Sequence, residues 1–216
     1  MADVKTADDN VFLFYPNLIG YGRIVLAVVA CFFMLDSPAV ASFCYGLSAF
    51  LDAFDGYLAR MYNQSSRFGA MLDQLTDRLA FVGLLMALCA LYPRWMFFFQ
   101  LVVIIDIASH WLHLHATDLT GKQSHKSSEN PLLHYYYTSR PFLFFMCFGN
   151  EAFYGFLYLN AFWTGPNLLL GITPMKILMA PFCVVAIIKT GISIVHLLTA
   201  SQAVVEHDQS LRAKAK

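Results

Sequence analysis

The sequence predicts an all-α integral membrane protein, a six-transmembrane-helix bundle with both termini in the cytoplasm. Three observations predict it. The 216 residues are 58% hydrophobic and only 13% charged, where soluble domains carry about a quarter, and mean hydropathy is +0.57. Six apolar runs are long enough to cross a bilayer, which takes roughly 20 residues. The basic residues of the connections fall mainly on one side.

The first run, 17–35, is closed by Asp36-Ser37-Pro38. The second, 39–60, is joined to the third, 68–92, by the short polar turn MYNQSSR, which makes them antiparallel neighbours. Tyr92-Pro93-Arg94 separates the third from the fourth, 95–115. A long polar connection, 116–139, contains TGKQSHKSSENP and leads to the fifth run, 142–163. Thr164-Gly165-Pro166-Asn167 ends that run, and the sixth covers 175–202. Only helices or closed barrels satisfy backbone hydrogen bonds in lipid. These runs are too long and continuous for alternating barrel strands of about ten residues.

No internal repeat is visible, so the expectation is one domain over 1–216, with a short polar N-terminal segment 1–16 and a basic C-terminal tail 203–216. The start, MADVKTADDNVFLFYPN, lacks a basic stretch, a long apolar core and a small-residue cleavage site, and is expected to be retained. Six spans put both termini and the 2–3 and 4–5 connections on one side. That side carries Lys5, Arg60, Arg67, Lys122, Lys126, Arg140, Arg212, Lys214 and Lys216, against Arg94 and Lys176 on the other. The asymmetry places the termini in the cytoplasm.

Formal net charge is zero, which gives no surface for nucleic acid. Cys31, Cys44, Cys89, Cys147 and Cys183 stand singly in apolar runs, with no C-x-x-C pair. They read as small buried hydrophobes rather than a disulfide framework or zinc site.

The anomaly is acidic. Asp52 and Asp55 are spaced i, i+3 in FLDAFDGYLAR near the cytoplasmic end of the second run. Asp73 and Asp77 are spaced i, i+4 in the third. Each pair shares a helical face, and antiparallel neighbours bring all four carboxylates to similar depth. An uncompensated charge within the membrane costs roughly 3 kcal/mol or more, so the acids need neutralising. Arg60, Arg67 and Arg78 are nearby in sequence, and a purely structural ion-pair cluster is one reading. Divalent metal is the other. Carboxylate oxygens suit Mg²⁺, Mn²⁺ or Ca²⁺ rather than zinc, and shared aspartates can bridge two metals for phosphoryl transfer. Gly56 and Gly69 let helices approach closely or leave room for a ligand. Arg60 offers a planar fork suited to phosphate oxygens.

Written out, the stretch is Asp52-x2-Asp55-Gly56-x2-Ala59-Arg60-x8-Gly69-x3-Asp73-x3-Asp77. It resembles the signature of the CDP-alcohol phosphotransferase family at every fixed position and spacing. The wider chain is most similar to the eukaryotic phosphatidylinositol synthase branch, through FYPNLIGYGRIV, MYNQSSRFGAMLDQLTDR, ASHWLHLH, YYYTSRP and ISIVHLLTA. The resemblance implies transfer of a phosphatidyl group from CDP-diacylglycerol to myo-inositol with release of CMP. It implies a two-metal site using Mg²⁺ or Mn²⁺, with Asp52, Asp55, Asp73 and Asp77 as ligands and Asp77 also as general base. Asp52, Gly56, Ala59, Arg60, Ser66 and Gly69 would contact CDP-diacylglycerol. It further implies a homodimer in the endoplasmic reticulum membrane, with the active site facing the cytoplasm. The basic tail RAKAK is compatible with that location.

Further candidates lie outside the signature. A buried Arg23 in the first span needs an acidic or phosphate partner. Asp106, His110 and His113 share a face of the fourth span and read either as interhelical hydrogen bonds or as part of an inositol pocket. Arg140 opens the fifth span, as a positive-inside anchor or a ligand for hydroxyl or phosphate. Arg23, His110 and Arg140 are thus the candidates for an inositol or phosphate pocket. Asn17, after Pro16, is a candidate helix cap, and Lys189 snorkels or pairs with Glu151.

Three alternatives remain open on sequence. A glycerol 3-phosphate acceptor would call for several cations near the acids, and beyond Arg60, Arg67, Arg23 and Arg140 few are available. A cation transporter would place acids near the bilayer middle with internal pseudo-symmetry. A membrane scaffold would keep every activity when Asp73 is replaced by Asn.

Overall fold

A computed structural model describes residues 10–120, 131–168 and 171–214. Among these residues the chain is all-helical: α1 (Tyr15–Phe33), α2 (Pro38–Met61), α3 (Arg67–Leu91), α4 (Met96–Thr120), α5 (Pro131–Thr138), α6 (Arg140–Phe162) and α7 (Pro174–Lys214), with short 3-10 turns at Val11–Leu13 and Pro93–Trp95. Five of these helices, α1, α3, α4, α6 and α7, are long and apolar enough to cross a membrane. α2, at 24 residues, is long enough but carries Asp52, Asp55 and Arg60 and is not among the five. Lys5, Lys122, Lys126 and Lys216, used for the predicted orientation, lie outside the described residues, as does most of TGKQSHKSSENP. The helices fall into two compact units, 1–90 and 91–216.

In the first unit α1 packs on α2 and α3. Its buried positions Pro16, Asn17, Gly20, Arg23 and Ala30 recur at helical spacing along one stripe. Gly20 lets α1 approach α3: a Cβ there would stand 2.9 Å from Leu72 Cδ2. The α2–α3 turn is built by paired caps. Asn63 takes φ 52°, the left-handed conformation that asparagine tolerates. The Gln64 N–H donates to the Ala59 carbonyl at 2.9 Å and the Asn63 N–H to the Arg60 carbonyl at 3.4 Å, the Schellman pattern that satisfies a helix C-terminus. Two residues later Ser66 caps α3, its hydroxyl accepting from the Gly69 N–H at 2.9 Å. The turn thus fixes where α2 stops and α3 starts, and with them the depth of the four acids.

In the second unit α7 is the shared element, packing against α4, α5 and α6. Its core comprises Leu133, Tyr136, Met146, Val185 and Ile192. Thr173 caps α7, accepting from the Lys176 N–H at 3.4 Å, and Pro174 occupies the first helical position, where its missing N–H is harmless. Pro181 lies inside α7, and such breaks are tolerated in membrane helices.

Two predicted boundaries are corrected. The predicted connection 116–139 is helical at both ends, because α4 continues to Thr120 and α5 covers Pro131–Thr138. Leu133 and Tyr136, three apart, are 2% and 3% exposed and give α5 an apolar anchor that its polar flanks conceal. The last helix runs to Lys214, not 202. Its 41 residues reach about 60 Å, twice the hydrocarbon thickness, so its polar C-terminal turns continue past the apolar segment. Outward-facing side chains such as Phe97, 77% exposed, and Phe32, 76% exposed, fit a lipid environment. All five cysteines are free, but of these expected buried residues only Cys44 is buried, and Cys31 and Cys147 are exposed on the outer faces of their apolar helices.

Candidate active site

The four aspartates converge on one buried cation. Arg23 of α1, 1% exposed, extends its guanidinium between α2 and α3. Nη2 lies 2.7 Å from Asp52 Oδ1 and also meets Asp77 Oδ1. Nη1 lies 2.5 Å from Asp55 Oδ2 and 2.8 Å from Asp73 Oδ1. Arg23 Nε is buried and makes no hydrogen bond. The Ser48 hydroxyl donates to the Arg23 carbonyl at 3.1 Å, tying α2 to α1 at the same level.

The cluster is open on one side and closed on the other. The side chains of Asp52 and Asp73 are 44% and 46% exposed, that of Asp55 only 11%. Of the arginines expected as partners from sequence proximity, Arg78 reaches Asp77 only at 3.9 Å. Among the described residues Arg60 and Arg67 pair with none of the four acids. The principal counter-ion is therefore Arg23, for which sequence reading left an acidic or a phosphate partner open; the structure gives it the acidic one.

One guanidinium does not balance four carboxylates. Asp52, Asp55 and Asp73 each offer an oxygen within 4.8 Å of the others, and no other group of three acidic, histidine or cysteine side chains does so among the described residues. A hard, all-oxygen donor set of this charge fits a divalent cation such as Mg²⁺ or Mn²⁺.

Beside the acids is a cavity of about 210 Å³ whose wall includes Gly56, Ala59, Arg60, Ser66 and Gly69 as well as Asp55 and Asp73. The non-acidic positions of the motif therefore line one space. The two motif glycines act differently there. A Cβ on Gly69 would lie 2.7 Å from Asn17 Oδ1 and 3.1 Å from Ser66 Oγ, a close approach that only glycine permits. A Cβ on Gly56 would meet nothing closer than Arg60 Nη1, at 3.5 Å, so its absence leaves the cavity wall open. Arg60 is exposed, and among the described residues no carboxylate pairs with it.

Asn17, Gln64 and Ser65 also line the cavity and were not predicted as site residues. Asn17 is not the cap of α1: it lies inside the helix and its Nδ2 donates to the Val11 carbonyl at 2.5 Å. Phe14 is the N-cap residue and makes no side-chain cap bond. Gln64 Oε1 accepts from the Tyr15 N–H at 2.9 Å, pinning the α2–α3 turn to the start of α1. The spacing Pro16-Asn17-x2-Gly20 was the available signal, since it places small and polar side chains on the face that also bears Arg23.

His110 and Arg140 belong to the second unit. His110 Nδ1 lies 2.7 Å from the Asp106 carbonyl and 3.5 Å from Asp106 Oδ1. Its ring centroid is 6.0 Å from that of His196 on α7, which in turn is 4.1 Å from His113. The α4 histidines thus join a histidine of α7 that sequence reading left out. Arg140 is exposed at the start of α6. Lys189 is buried, with Nζ 5.9 Å from the centre of the Tyr136 ring.

Comparison with known proteins identifies the family. The sequence model of the CDP-alcohol phosphatidyltransferase family matches residues 13–149, which include Arg23, all four aspartates and the cavity wall. The chain is 50% identical over 214 residues to the CDP-diacylglycerol–inositol 3-phosphatidyltransferase of Mus musculus, covering 97% of this chain and 99% of that one. The protein of the same name from Homo sapiens gives the same identity and coverage. That of Saccharomyces cerevisiae is 46% identical over 161 residues, 73% of each chain. With the motif residues gathered around one cavity and a match over more than half its length, the chain belongs to the CDP-alcohol phosphatidyltransferase family.

Proposed function

We propose that this chain is a CDP-diacylglycerol–inositol 3-phosphatidyltransferase, joining CDP-diacylglycerol and myo-inositol to give phosphatidylinositol and CMP. The observation that carries this reading is 50% identity over 97% of the chain to relatives of that name, far beyond the shared signature.

The site residues take the following roles on this reading. Asp52, Asp55, Asp73 and Asp77 hold Mg²⁺ or Mn²⁺, in a two-metal site. The bound metal supplies charge neutralisation at the phosphate oxygens and at the departing CMP oxygen. Asp77 takes the proton of an inositol hydroxyl. That oxygen bonds to the phosphorus bearing the diacylglycerol, and the bond from this phosphorus to the CMP oxygen breaks. Arg60 steadies the diphosphate, Gly56 and Ala59 leave it room, and Ser66 and Gly69 shape the wall around the nucleotide. Arg23 belongs to the phosphate side of the site, and His110 and Arg140 are the candidates for recognising inositol.

The chain then forms one domain over 1–216 with α2 as a sixth span. The excess of basic residues on one side supports cytoplasmic termini. CDP and inositol are water-soluble, which favours an active site facing the cytoplasm, in the endoplasmic reticulum membrane and in a homodimer as the family resemblance implies.

The test is CMP release by purified protein in detergent with CDP-diacylglycerol, with and without myo-inositol, in Mn²⁺ or Mg²⁺ and then in EDTA. Release that depends on inositol and metal is expected. Release driven by glycerol 3-phosphate would keep the family and change the acceptor, and no release with any alcohol from folded protein would refute the reading.

A further inference from the structure

Arg23 occupies the centre of the acidic cluster in a way that bears on how that cluster is loaded. Its two terminal nitrogens contact four carboxylates from two helices, and three of those carboxylates supply the oxygens closest to one another. The carboxylates that suit a divalent cation are thus among the carboxylates that hold the guanidinium. A guanidinium and a divalent cation compete for the same negative charge there, because Asp55 and Asp73 both meet Nη1 and Asp52 and Asp77 both meet Nη2.

We infer that Arg23 is a competing internal counter-ion: it holds the four aspartates together in the metal-free protein, and a divalent cation enters by exchange with its guanidinium. This rests on the reading of the four acids as the metal site. Three observations support exchange over a fixed salt bridge. The cluster is open at Asp52 and Asp73, 44% and 46% exposed, so a cation enters from solvent. Arg23 Nε is buried without a partner, so this arrangement leaves one donor of the guanidinium unsatisfied. The cluster also retains excess negative charge with Arg23 in place, since four carboxylates face one buried guanidinium and a distant Arg78. A divalent ion brings twice the charge of the arginine in a smaller volume. Once displaced, a buried arginine needs an anionic partner, and the phosphates of a bound substrate are of that class. Arg23 is on this account a positioning residue that sets metal affinity and links it to substrate loading.

The experiment measures metal affinity, not turnover. Mn²⁺ binding to purified wild-type, R23Q and R23K protein is followed by electron paramagnetic resonance, and thermal unfolding is recorded in EDTA and in saturating Mn²⁺. Removing the competitor is expected to tighten Mn²⁺ binding by about tenfold or more in R23Q, and less in R23K, whose ammonium reaches fewer carboxylates. R23Q is expected to melt well below wild type in EDTA and to recover most of the difference in Mn²⁺. If R23Q folds only with Mn²⁺, that too supports exchange; if it folds in neither condition, R23K decides. Mn²⁺ affinity unchanged or weakened in the folded variants would overturn the inference. Absence of Mn²⁺ binding by the wild type would instead refute the metal site on which it rests.

Discussion

The guanidinium of Arg23 and the carboxylate of Asp55 meet at 2.5 Å between α1 and α2, and both are buried. The contact sets Asp55 apart from the three aspartates that share its motif, because it is the one the solvent barely reaches. Removing one partner of a buried ion pair leaves the other charge uncompensated, at a cost of about 3–5 kcal/mol. Removing an exposed partner costs about 1 kcal/mol or less. Asp55→Ala leaves Arg23 its contacts to Asp52, Asp73 and Asp77. It is therefore expected to lower stability in EDTA by less than that full cost, about 1–3 kcal/mol for a lost buried charged hydrogen bond, and Asp52→Ala, with its 44% exposed side chain, by less still. Thermal or denaturant unfolding of both variants in detergent checks it; equal losses would mean that Arg23 does not single out Asp55.

Asp77 is the proposed base. Asp77→Asn keeps the size of the side chain and an oxygen for the Arg23 contact, but gives up most of the basicity and one negative charge. A positioned base contributes about 10²–10⁴ in rate. CMP release is expected to fall by about that factor, with a melting temperature near that of the wild type. Release within threefold of wild type would assign the proton to another group.

The fold and the site were legible to different depths. Hydropathy placed the long helices because each apolar run is a local property. It missed α5, whose hold on the core is carried by two residues, Leu133 and Tyr136, and it ended α7 early because the helix continues into polar sequence. The aspartates were legible because i, i+3 and i, i+4 spacing decides a helix face without tertiary information. The Arg23 contacts were not, because they join residues 29 to 54 positions apart and depend on how α1 packs against α2 and α3. Sequence proximity pointed instead to Arg60, Arg67 and Arg78, and among the described residues only Arg78 comes near an aspartate. Asn17 was misread as a cap for the same reason: its partner, the Val11 carbonyl, lies in a turn that the pattern did not show.

The two motif glycines are expected to fail differently. Gly69→Ala forces a methyl to 2.7 Å from Asn17 Oδ1, and overpacking of that kind costs about 1–3 kcal/mol. Gly56→Ala meets no such obstacle and gains helix propensity of about 1 kcal/mol, yet its methyl projects at the cavity wall. Unfolding should therefore separate them, with Gly69→Ala destabilised and Gly56→Ala at or above wild type. Activity should fall in both. A stable Gly69→Ala protein would show that Asn17 yields, and a fully active Gly56→Ala would show that substrate does not use that wall.

Ser66 is read from its geometry as the cap of α3. Ser66→Ala loses the bond to the Gly69 N–H and is expected to cost about 1 kcal/mol, while Ser66→Thr retains the hydroxyl and most of that stability. The cap also fixes where α3 begins, so turnover in Ser66→Ala should fall with stability and return in the threonine variant. Turnover lost in Ser66→Ala with unfolding unchanged, and restored in Ser66→Thr, would assign the hydroxyl to substrate rather than to the helix.

Arg60 offers the cleanest separation of binding from folding. It lines the cavity beside Gly56, is exposed, and among the described residues pairs with no carboxylate, so its removal leaves no buried charge behind. Unfolding of Arg60→Gln should match the wild type within about 0.5 kcal/mol. A charge-assisted bond to a diphosphate contributes about 1.5–3 kcal/mol, which corresponds to about 10- to 150-fold in affinity. The apparent KM for CDP-diacylglycerol should rise by an amount in that range. Arg60→Lys keeps the charge but loses the planar fork, so it should recover only part of the loss. Inositol KM, measured at saturating CDP-diacylglycerol, should stay unchanged. A shift in inositol KM alone would move Arg60 from the nucleotide to the acceptor, and a drop in stability would mean that its apparent freedom conceals a packing role.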